Sequence, residues 1–311
     1  MDAVESVGYQ CDARILELNS YENRVYQVGI DGQEPIIAKF YRHERWSDDQ
    51  ILEEHVFTQK LLDNEITAVP PLVIQDKTLV VYNGFRFSLY ERRGGRAPEL
   101  DDPQSLEVLG RYIGRIHRVG SSRPFQYRPT ISVDEYGYAA RDYLLANDFI
   151  PDDIKEAYES VATGLLNDMH DILSEPVERI RLHGDCHMGN VLWRDETPHF
   201  VDFDDSRNGP AIQDLWMMLS GEREAQSEQM RHILIGYRDF ADFNFGQLRL
   251  IEPLRTLRMM YHSAWIARRW DDPAFPRAFP FFNTARYWSE HVLELREQWA
   301  KLSEPALQVY V

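Results

Sequence analysis

Asp185 and Asn190 stand five residues apart in His183-Gly184-Asp185-Cys186-His187-Met188-Gly189-Asn190. Asp202 follows 17 positions after Asp185, in Val201-Asp202-Phe203-Asp204-Asp205. Phosphoryl transfer from a magnesium-bound nucleotide needs such a set. One carboxylate takes the proton of the attacking hydroxyl, while an amide oxygen and another carboxylate hold the cation that neutralises the phosphates. Asp185 is therefore the candidate catalytic base, with Asn190 and Asp202 the candidate Mg2+ ligands. Short apolar runs, Val177 to Leu182 and Val191-Leu192-Trp193, bracket the first segment, and His199-Phe200-Val201 leads into the second. A hairpin between them is expected to fold both carboxylates and the Asn amide around one cation.

His183, Cys186 and His187 interleave this set. Their spacing matches no common zinc pattern, and oxygen donors surround them. The two histidines are expected to brace the loop through backbone or carboxylate hydrogen bonds. Cys186 is expected to be a small buried residue rather than a redox switch. Asp204 is a candidate for a second Mg2+, and Asp205 for a turn cap. Asp214, after Asn208-Gly209-Pro210, is expected at a helix N-terminus, from where it also holds the loop.

The opposite wall must come from the first third of the chain, which alternates like strands. Val25 to Ile30 and Pro35 to Tyr41 read as a hairpin about Asp31-Gly32. Thr78 to Tyr82 and Phe85 to Tyr90 form another about Asn83-Gly84. Between them a helix is expected to start at Ser47, its N-cap, with acids in its first turn, and to stop before Pro70-Pro71. Lys39 ends the apolar run Ile36-Ile37-Ala38, where it can point into a cleft and meet α- and β-phosphates. A Glu on the following helix would hold it; Glu53 and Glu54 are adjacent there, about 100° apart around the helix, and Glu54 is the favoured partner. Asn19-Ser20-Tyr21-Glu22-Asn23-Arg24 stands where a phosphate-covering loop belongs. It has no Gly-x-Gly-x-x-Gly, so Ser20 is the residue expected to offer a hydroxyl or amide to phosphate.

Arg92-Arg93-Gly94-Gly95-Arg96-Ala97-Pro98 marks the expected boundary, dividing a nucleotide-binding lobe, 1–92, from a helical lobe, 93–311. Beyond it, Leu106, Leu109, Ile113 and Ile116 form an apolar stripe at helical spacing. Further helices are expected over about 134–147, 152–173, 211–219, 224–242, 248–270 and 284–302. Arg255, Arg258, Tyr261, His262, Trp265, Arg268 and Arg269 fall on the helix 248–270. They fit an acceptor-lining helix and a core helix with snorkelling arginines equally well.

The chain of 311 residues carries 34 Lys plus Arg against 51 Asp plus Glu, a net charge of −17. A surface this acidic disfavours nucleic acid and anionic membranes as partners; a local basic cleft for ATP remains compatible with it. The two cysteines, Cys11 and Cys186, make no disulfide framework, which points to a reducing compartment. The first residues have no basic region followed by an apolar run, and no stretch approaches the roughly 18 apolar residues of a membrane span. A cytoplasmic protein is expected.

With these residues in place, the chain resembles the aminoglycoside phosphotransferase and choline kinase superfamily, whose fold is similar to that of protein kinases. His183 to Asn190 and Val201 to Asp205 resemble its active-site motifs. Leu18 to Gln27, Lys39 to Arg42, Ser47 to His55, Asn208 to Trp216 and Trp270 to Pro276 resemble a bacterial branch of Ser/Thr protein kinases within it. The resemblance covers nearly the whole chain. It implies an α+β, two-lobed, protein-kinase-like fold, with a small antiparallel-sheet lobe carrying one helix and a larger, mainly helical lobe. It implies ATP and Mg2+ as cofactors, protein substrates with Ser/Thr acceptors, a monomer, and a role in bacterial stress response. By matching position, Asp185 is the base, Asn190 and Asp202 bind Mg2+, and Ser20 lies at the ATP phosphates. In the ATP-dependent kinase reading, adenine is expected against Ser88 to Arg93. The chain departs from typical protein kinases in lacking a Gly-rich loop and an A-P-E-ended activation segment. Two other readings stay open: the same chemistry on a small alcohol such as choline, homoserine or an aminoglycoside, and a non-catalytic nucleotide-binding protein. The last would be expected to have lost one of Lys39, Asp185, Asn190 and Asp202, and all four are present.

Overall fold

Alternating apolar residues in the first third build an antiparallel sheet, and the helical stripes behind it build a second lobe. The computed structural model describes residues 1–18, 20–99 and 101–311; Asn19, in the expected phosphate loop, lies outside them. A short helix α1 (Asp2–Glu5) precedes strands β1 (Cys11–Leu18), β2 (Arg24–Ile30) and β3 (Ile36–Phe40). Helix α2 (Asp48–Asp63) follows, then β4 (Val80–Tyr82) and β5 (Phe85–Glu91). The strands lie in the order β1-β2-β3-β5-β4, all neighbours antiparallel.

The register explains how Lys39 reaches the cleft. Lys39 pairs with Val25 on one side and Ser88 on the other. Because side chains alternate along a strand, Lys39 and Ile37 share the face towards the second lobe. Ile36 and Ala38 face the opposite way, into a core with Ala3, Val4, Val28, Ile30, Phe87 and Leu89. Helix α2 starts as its sequence requires: Ser47 and Gln50 form a reciprocal capping box. It ends at Asp63, earlier than the expected stop before Pro70, because Asn64 caps it and Glu65 turns left-handed at φ 56°.

Strand β1 escaped the sequence reading. Ala13 has φ 69° and the register against β2 shifts between Cys11 and Ile15. Five consecutive residues are exposed, so no in-out alternation marks this bulged edge strand.

The second lobe contains α3 (Pro103–Gly120), α4 (Ala139–Ala146), α5 (Asp152–Ser174), β6 (Ile180–Leu182), β7 (Val191–Arg194), β8 (Thr197–Phe200) and β9 (Arg207–Gly209). Helices α6 (Ile212–Trp216), α7 (Arg223–Tyr237), α8 (Ile251–Ala267), α9 (Ala274–Ala278) and α10 (Ala285–Leu302) complete it. A π-helical turn, Asp134–Tyr138, leads into α4. Strands β6 and β9 form one two-stranded ladder, β7 and β8 another. Helices α3 and α7 touch through backbone: a Cβ on Gly110 would lie 2.0 Å from the Ile233 carbonyl oxygen, and one on Gly236 1.9 Å from that of Glu107. One apolar core, with Leu109, Ile113, Leu182, Phe200, Phe203, Leu215 and Ile233, lies under the β6–β9 segment. Another joins α4, α5, α8 and α10 around Leu165, Leu257, Phe282 and Trp288. The architecture is α+β and two-lobed, with an antiparallel-sheet lobe carrying α2 and a larger helical lobe. No helix among the described residues is long and apolar enough to cross a membrane.

Candidate active site

The loop between β6 and β7 is fastened from beneath. Asp214, 1% exposed on α6, accepts backbone hydrogen bonds from His183 (2.8 Å) and Gly184 (2.9 Å). His117 of α3 meets the same carboxylate at 3.0 Å and Tyr237 at its other ring nitrogen. Gly184 itself has φ +86°, and a Cβ there would lie 2.1 Å from the Asp205 carbonyl oxygen; the loop can pass beneath Asp205 only as glycine. His183 spans the two halves of the site, its Nε2 2.9 Å from the Val201 carbonyl and its Nδ1 accepting the Asp185 amide at 3.3 Å. Nδ1 of His187 accepts the Gly189 amide at 2.9 Å. Both histidines thus brace the loop. Cys186 is buried, and burial pushes its thiol pKa up, the state of an inert thiol.

Asp185 rises from this platform. Asn190 donates to its carbonyl at 2.9 Å and approaches Oδ2 at 3.4 Å. His187 Nε2 is also 3.4 Å from Oδ2. Arg258 Nη1 of α8 lies 2.8 Å from Oδ1. Burial works against the charged form, but the His187 hydrogen bond and the Arg258 charge outweigh it, holding the Asp185 pKa well below the usual carboxylate range.

Asp202 sits left-handed, φ 59° and ψ 61°, at the turn after β8. A non-glycine residue held there is uncommon and clusters at functional sites. Its carboxylate is half exposed and 2.9 Å from Lys39 Nζ. Lys39 also reaches Asp204 at 3.2 Å. Its ammonium is buried, yet the charges of Asp202 and Asp204 more than offset the desolvation and raise its pKa. Asp204 is buried among Lys39, Arg45 and Asn23, so it faces cationic and amide groups of the sheet lobe rather than a second-metal position. Asp205 lies between Arg45 (2.8 Å) and Arg207 (2.6 Å), not on a turn amide.

The ion pair expected between Lys39 and Glu54 is not made. Glu54 is 3% exposed and its Oε2 has no hydrogen-bond partner among the described residues. Burial raises its pKa to about 7, against the opposing charges of Arg128 and Lys39. Lys39 is instead drawn to the two aspartates across the cleft. Glu53 accepts the backbone amides of Gln126, Tyr127 and Arg128 at 2.6, 2.9 and 2.9 Å. Neither acid simply faces solvent. A local pattern gave no sign of these partners, which lie more than seventy residues away.

Two cavities converge here. One, of about 290 Å3, lies under the sheet, lined by Leu18, Val25, Ile37, Lys39, Glu54, Tyr90 and Arg93 among others. The other, of about 490 Å3, opens on the helical side against Tyr136, Arg258, Tyr261, His262, Trp265 and Phe279. Ser20, Gly189, Asn190 and Asp202 line both; Asp185 lines the larger, Lys39 the smaller. The 248–270 helix therefore supplies a wall of the larger cavity, and its Arg258 contacts Asp185, which spacing alone did not assign. Glu22 accepts from Trp265 Nε1 at 2.6 Å and pairs with Arg269 at 2.7 Å. Asp272 takes Arg24 (3.3 Å) and Arg42 (2.8 Å). The loop after β1 is so tied to α8 and to the segment before α9.

The donors suit Mg2+. Asn190 spends its Nδ2 on Asp185, which leaves its amide oxygen without a hydrogen bond among the described residues, and Asp202 presents a half-exposed carboxylate to the same junction. No group of three or more His, Cys, Asp or Glu side chains is placed to hold a metal among the described residues. One carboxylate and one amide oxygen fit a cation that takes its remaining ligands from phosphate and water.

Comparison with known proteins agrees with this arrangement. The model of the phosphotransferase enzyme family matches residues 14–251. Stress response kinase A of Escherichia coli (strain K12) is 42% identical over 309 residues, 99% of this chain and 94% of that protein. Serine/threonine protein kinase RdoA of Salmonella typhimurium (strain LT2) is likewise 42% identical over 99% of the chain and 94% of its own length. Among solved structures, amicoumacin kinase hAmiN, in complex with AMP-PNP, Ca2+ and Ami, is similar at TM-score 0.74 and 21% identity, covering 94% of this chain and 92% of that one. A microcompartment-associated aminopropanol kinase is similar at TM-score 0.74 and 17% identity, covering 99% of both chains. These likenesses show the shared fold. The chain is a phosphotransferase of the kinase class; it belongs to the phosphotransferase enzyme family and, within it, to the stress response kinases A.

Proposed function

We propose that this enzyme transfers the γ-phosphate of ATP, with Mg2+, to Ser and Thr hydroxyls of proteins, acting as a cytoplasmic monomer in bacterial stress response. The observation that carries the reaction is the junction of the two cavities at Ser20, Gly189, Asn190 and Asp202, with Lys39 on one side and Asp185 on the other. The names of relatives 42% identical over 99% of the chain carry the acceptor class and the stress role.

In this reading residues 1–92 form the nucleotide lobe and 93–311 the catalytic and acceptor lobe. Val25, Ile37, Tyr90 and Arg93 enclose the nucleotide, Ser20 faces its phosphates, and Lys39 moves from Asp202 to them. Asn190 and Asp202 would hold Mg2+, which would supply the charge that neutralises the phosphate oxygens. With Asp202 so engaged, Lys39 keeps the buried Asp204, already at 3.2 Å, and Glu54, buried on the adjacent helix, becomes its second carboxyl partner. Asp185 accepts the hydrogen bond of the acceptor hydroxyl and aims it at phosphorus. Its low pKa makes it a weak base, which suffices because the transition state is loose and positioning supplies most of the acceleration, up to about 7–11 kcal/mol.

A second reading, phosphorylation of a small alcohol, is favoured by the larger cavity, whose roughly 490 Å3 falls in the ~300–1,000 Å3 range of small-molecule pockets. Incubation with γ-labelled ATP and either a generic protein or a panel of amino alcohols separates the two. Label on protein Ser and Thr supports the proposal; label on a metabolite with none on protein overturns it.

A further inference from the structure

Arg258 covers the oxygen that an acceptor needs. A hydroxyl must approach an Asp185 oxygen to about 2.6–3.2 Å. Oδ2 already faces His187 and Asn190 at 3.4 Å each, and both belong to the braced loop. Oδ1 faces Arg258 at 2.8 Å, an ion pair without hydrogen-bond geometry. The Arg258 side chain is 44% exposed, and Asp185 is its one ion-pair partner among the described residues. Of the groups around Asp185, it is the one that can leave without unfolding the loop.

The rest of the larger cavity offers nothing to a cationic acceptor. Its acidic lining residues are Glu22, Asp185, Asp202 and Asp205. Glu22 is taken by Trp265 and Arg269, Asp205 by Arg45 and Arg207, and Asp202 by Lys39. An ammonium entering here finds no free carboxylate, whereas an anion finds Arg258. The net charge of −17 pulls the other way at long range. That field is screened over about 8 Å at physiological ionic strength, so the contact groups decide. The aromatic side chains of Tyr261, Trp265 and Phe279 on the same wall suit the apolar part of a peptide.

We propose that Arg258 selects acceptors carrying an anionic group beside the reacting hydroxyl, namely a Ser or Thr flanked by Asp, Glu or a phosphorylated residue. In moving onto that group it uncovers Asp185 Oδ1 for the hydroxyl. Acceptor recognition and release of the base are then one event, and Arg258 acts as a specificity and positioning residue. This deepens the protein-kinase reading and rests on it.

The test uses peptides with one central Ser and acidic, neutral or basic flanks, phosphorylated by the wild-type chain, Arg258→Ala and Arg258→Glu. Wild type is expected to prefer the acidic flank by about tenfold or more in kcat/KM, the size of one charge-assisted contact. Arg258→Ala is expected to lose the preference and Arg258→Glu to reverse it towards basic flanks, which a merely structural role would not produce. ATP affinity, read in the same samples, is expected to stay at the wild-type value, because Arg258 does not line the nucleotide cavity. Equal use of all flanks by a wild-type enzyme active on proteins overturns the role of Arg258 alone, as does an acidic preference that survives in both variants. Phosphorylation of a small alcohol with none of any protein or peptide overturns the protein-kinase reading, and this inference with it.

Discussion

Removing the Asp214 carboxylate should damage the loop and the fold together, by amounts the contacts set. Three donors in a buried setting converge on it: the amides of His183 and Gly184 and Nε2 of His117. Asp214→Ala leaves all three without an acceptor. At about 1–3 kcal/mol for each unsatisfied buried group, the loss is about 3–9 kcal/mol, a large part of the ~5–15 kcal/mol that holds a typical domain folded. With ~2.1 cal/mol/K of unfolding entropy per residue, a chain of 311 residues shifts by about 1.5 °C per kcal/mol, so the melting temperature should fall by about 5–14 °C. Asp214→Asn should cost less but not nothing, since its one oxygen leaves an amide facing an N–H donor. Asp185 sits one residue beyond the fastened amides, and a displacement of ~1 Å lowers kcat by about a hundredfold. The assay is a thermal melt beside steady-state kinetics and nucleotide titration. The expected result is a lower melting temperature and kcat, with ATP affinity nearly kept because Asp214 does not line the smaller cavity, to which the proposal assigns the nucleotide. A variant with wild-type melting and kcat would refute the idea that Asp214 fastens the loop.

Glu54→Gln should stabilise the nucleotide-free chain in a pH-dependent way. Burial raises Glu54 to about 7 from 4.5, so between these values the folded state binds more protons than the unfolded one. Stability from this group is therefore full below about pH 4.5, falls towards pH 7, and is flat above it. The gain of the variant over wild type should open across that window and reach at most about 3 kcal/mol; a pH-independent gain in denaturant titrations would contradict the assignment. Glu53→Ala frees the amides of Gln126, Tyr127 and Arg128. A loss of about 1–2 kcal/mol and faster hydrogen exchange confined to that loop are expected; unchanged exchange there would show that Glu53 does not hold it.

Legibility followed sequence distance. The Asp185–Asn190 spacing, the Asp202 turn, the Ser47 cap and the α3 stripe are local patterns, and the structure keeps them as elements and neighbours. Asp214 was readable as a loop holder because it opens a helix soon after the loop. Strand β1 was not readable, since its bulge and exposure remove the period of two. The partners of Lys39, Glu53 and Asp185 were not readable either. Lys39 lies 163 residues from Asp202, and no local rule says whether a buried ammonium turns to its own lobe or across a cleft. Burial tips the balance: two carboxylates across the cleft offset the desolvation of Lys39, while burial raises the pKa of Glu54 to about 7 and so weakens it as a charged partner. Arg258 falls on a helix that spacing leaves ambiguous, and the packing of α8 against the Asp185 loop brings it to the larger cavity.

The central claim is that Asp202, at the junction of the two cavities, serves the transfer of phosphate. Transfer from γ-labelled ATP to a generic protein by purified wild type and Asp202→Ala, both checked for an intact melt, tests it most directly. The account predicts labelled Ser and Thr with wild type and background label with the variant. Full activity in a folded Asp202→Ala chain would contradict it.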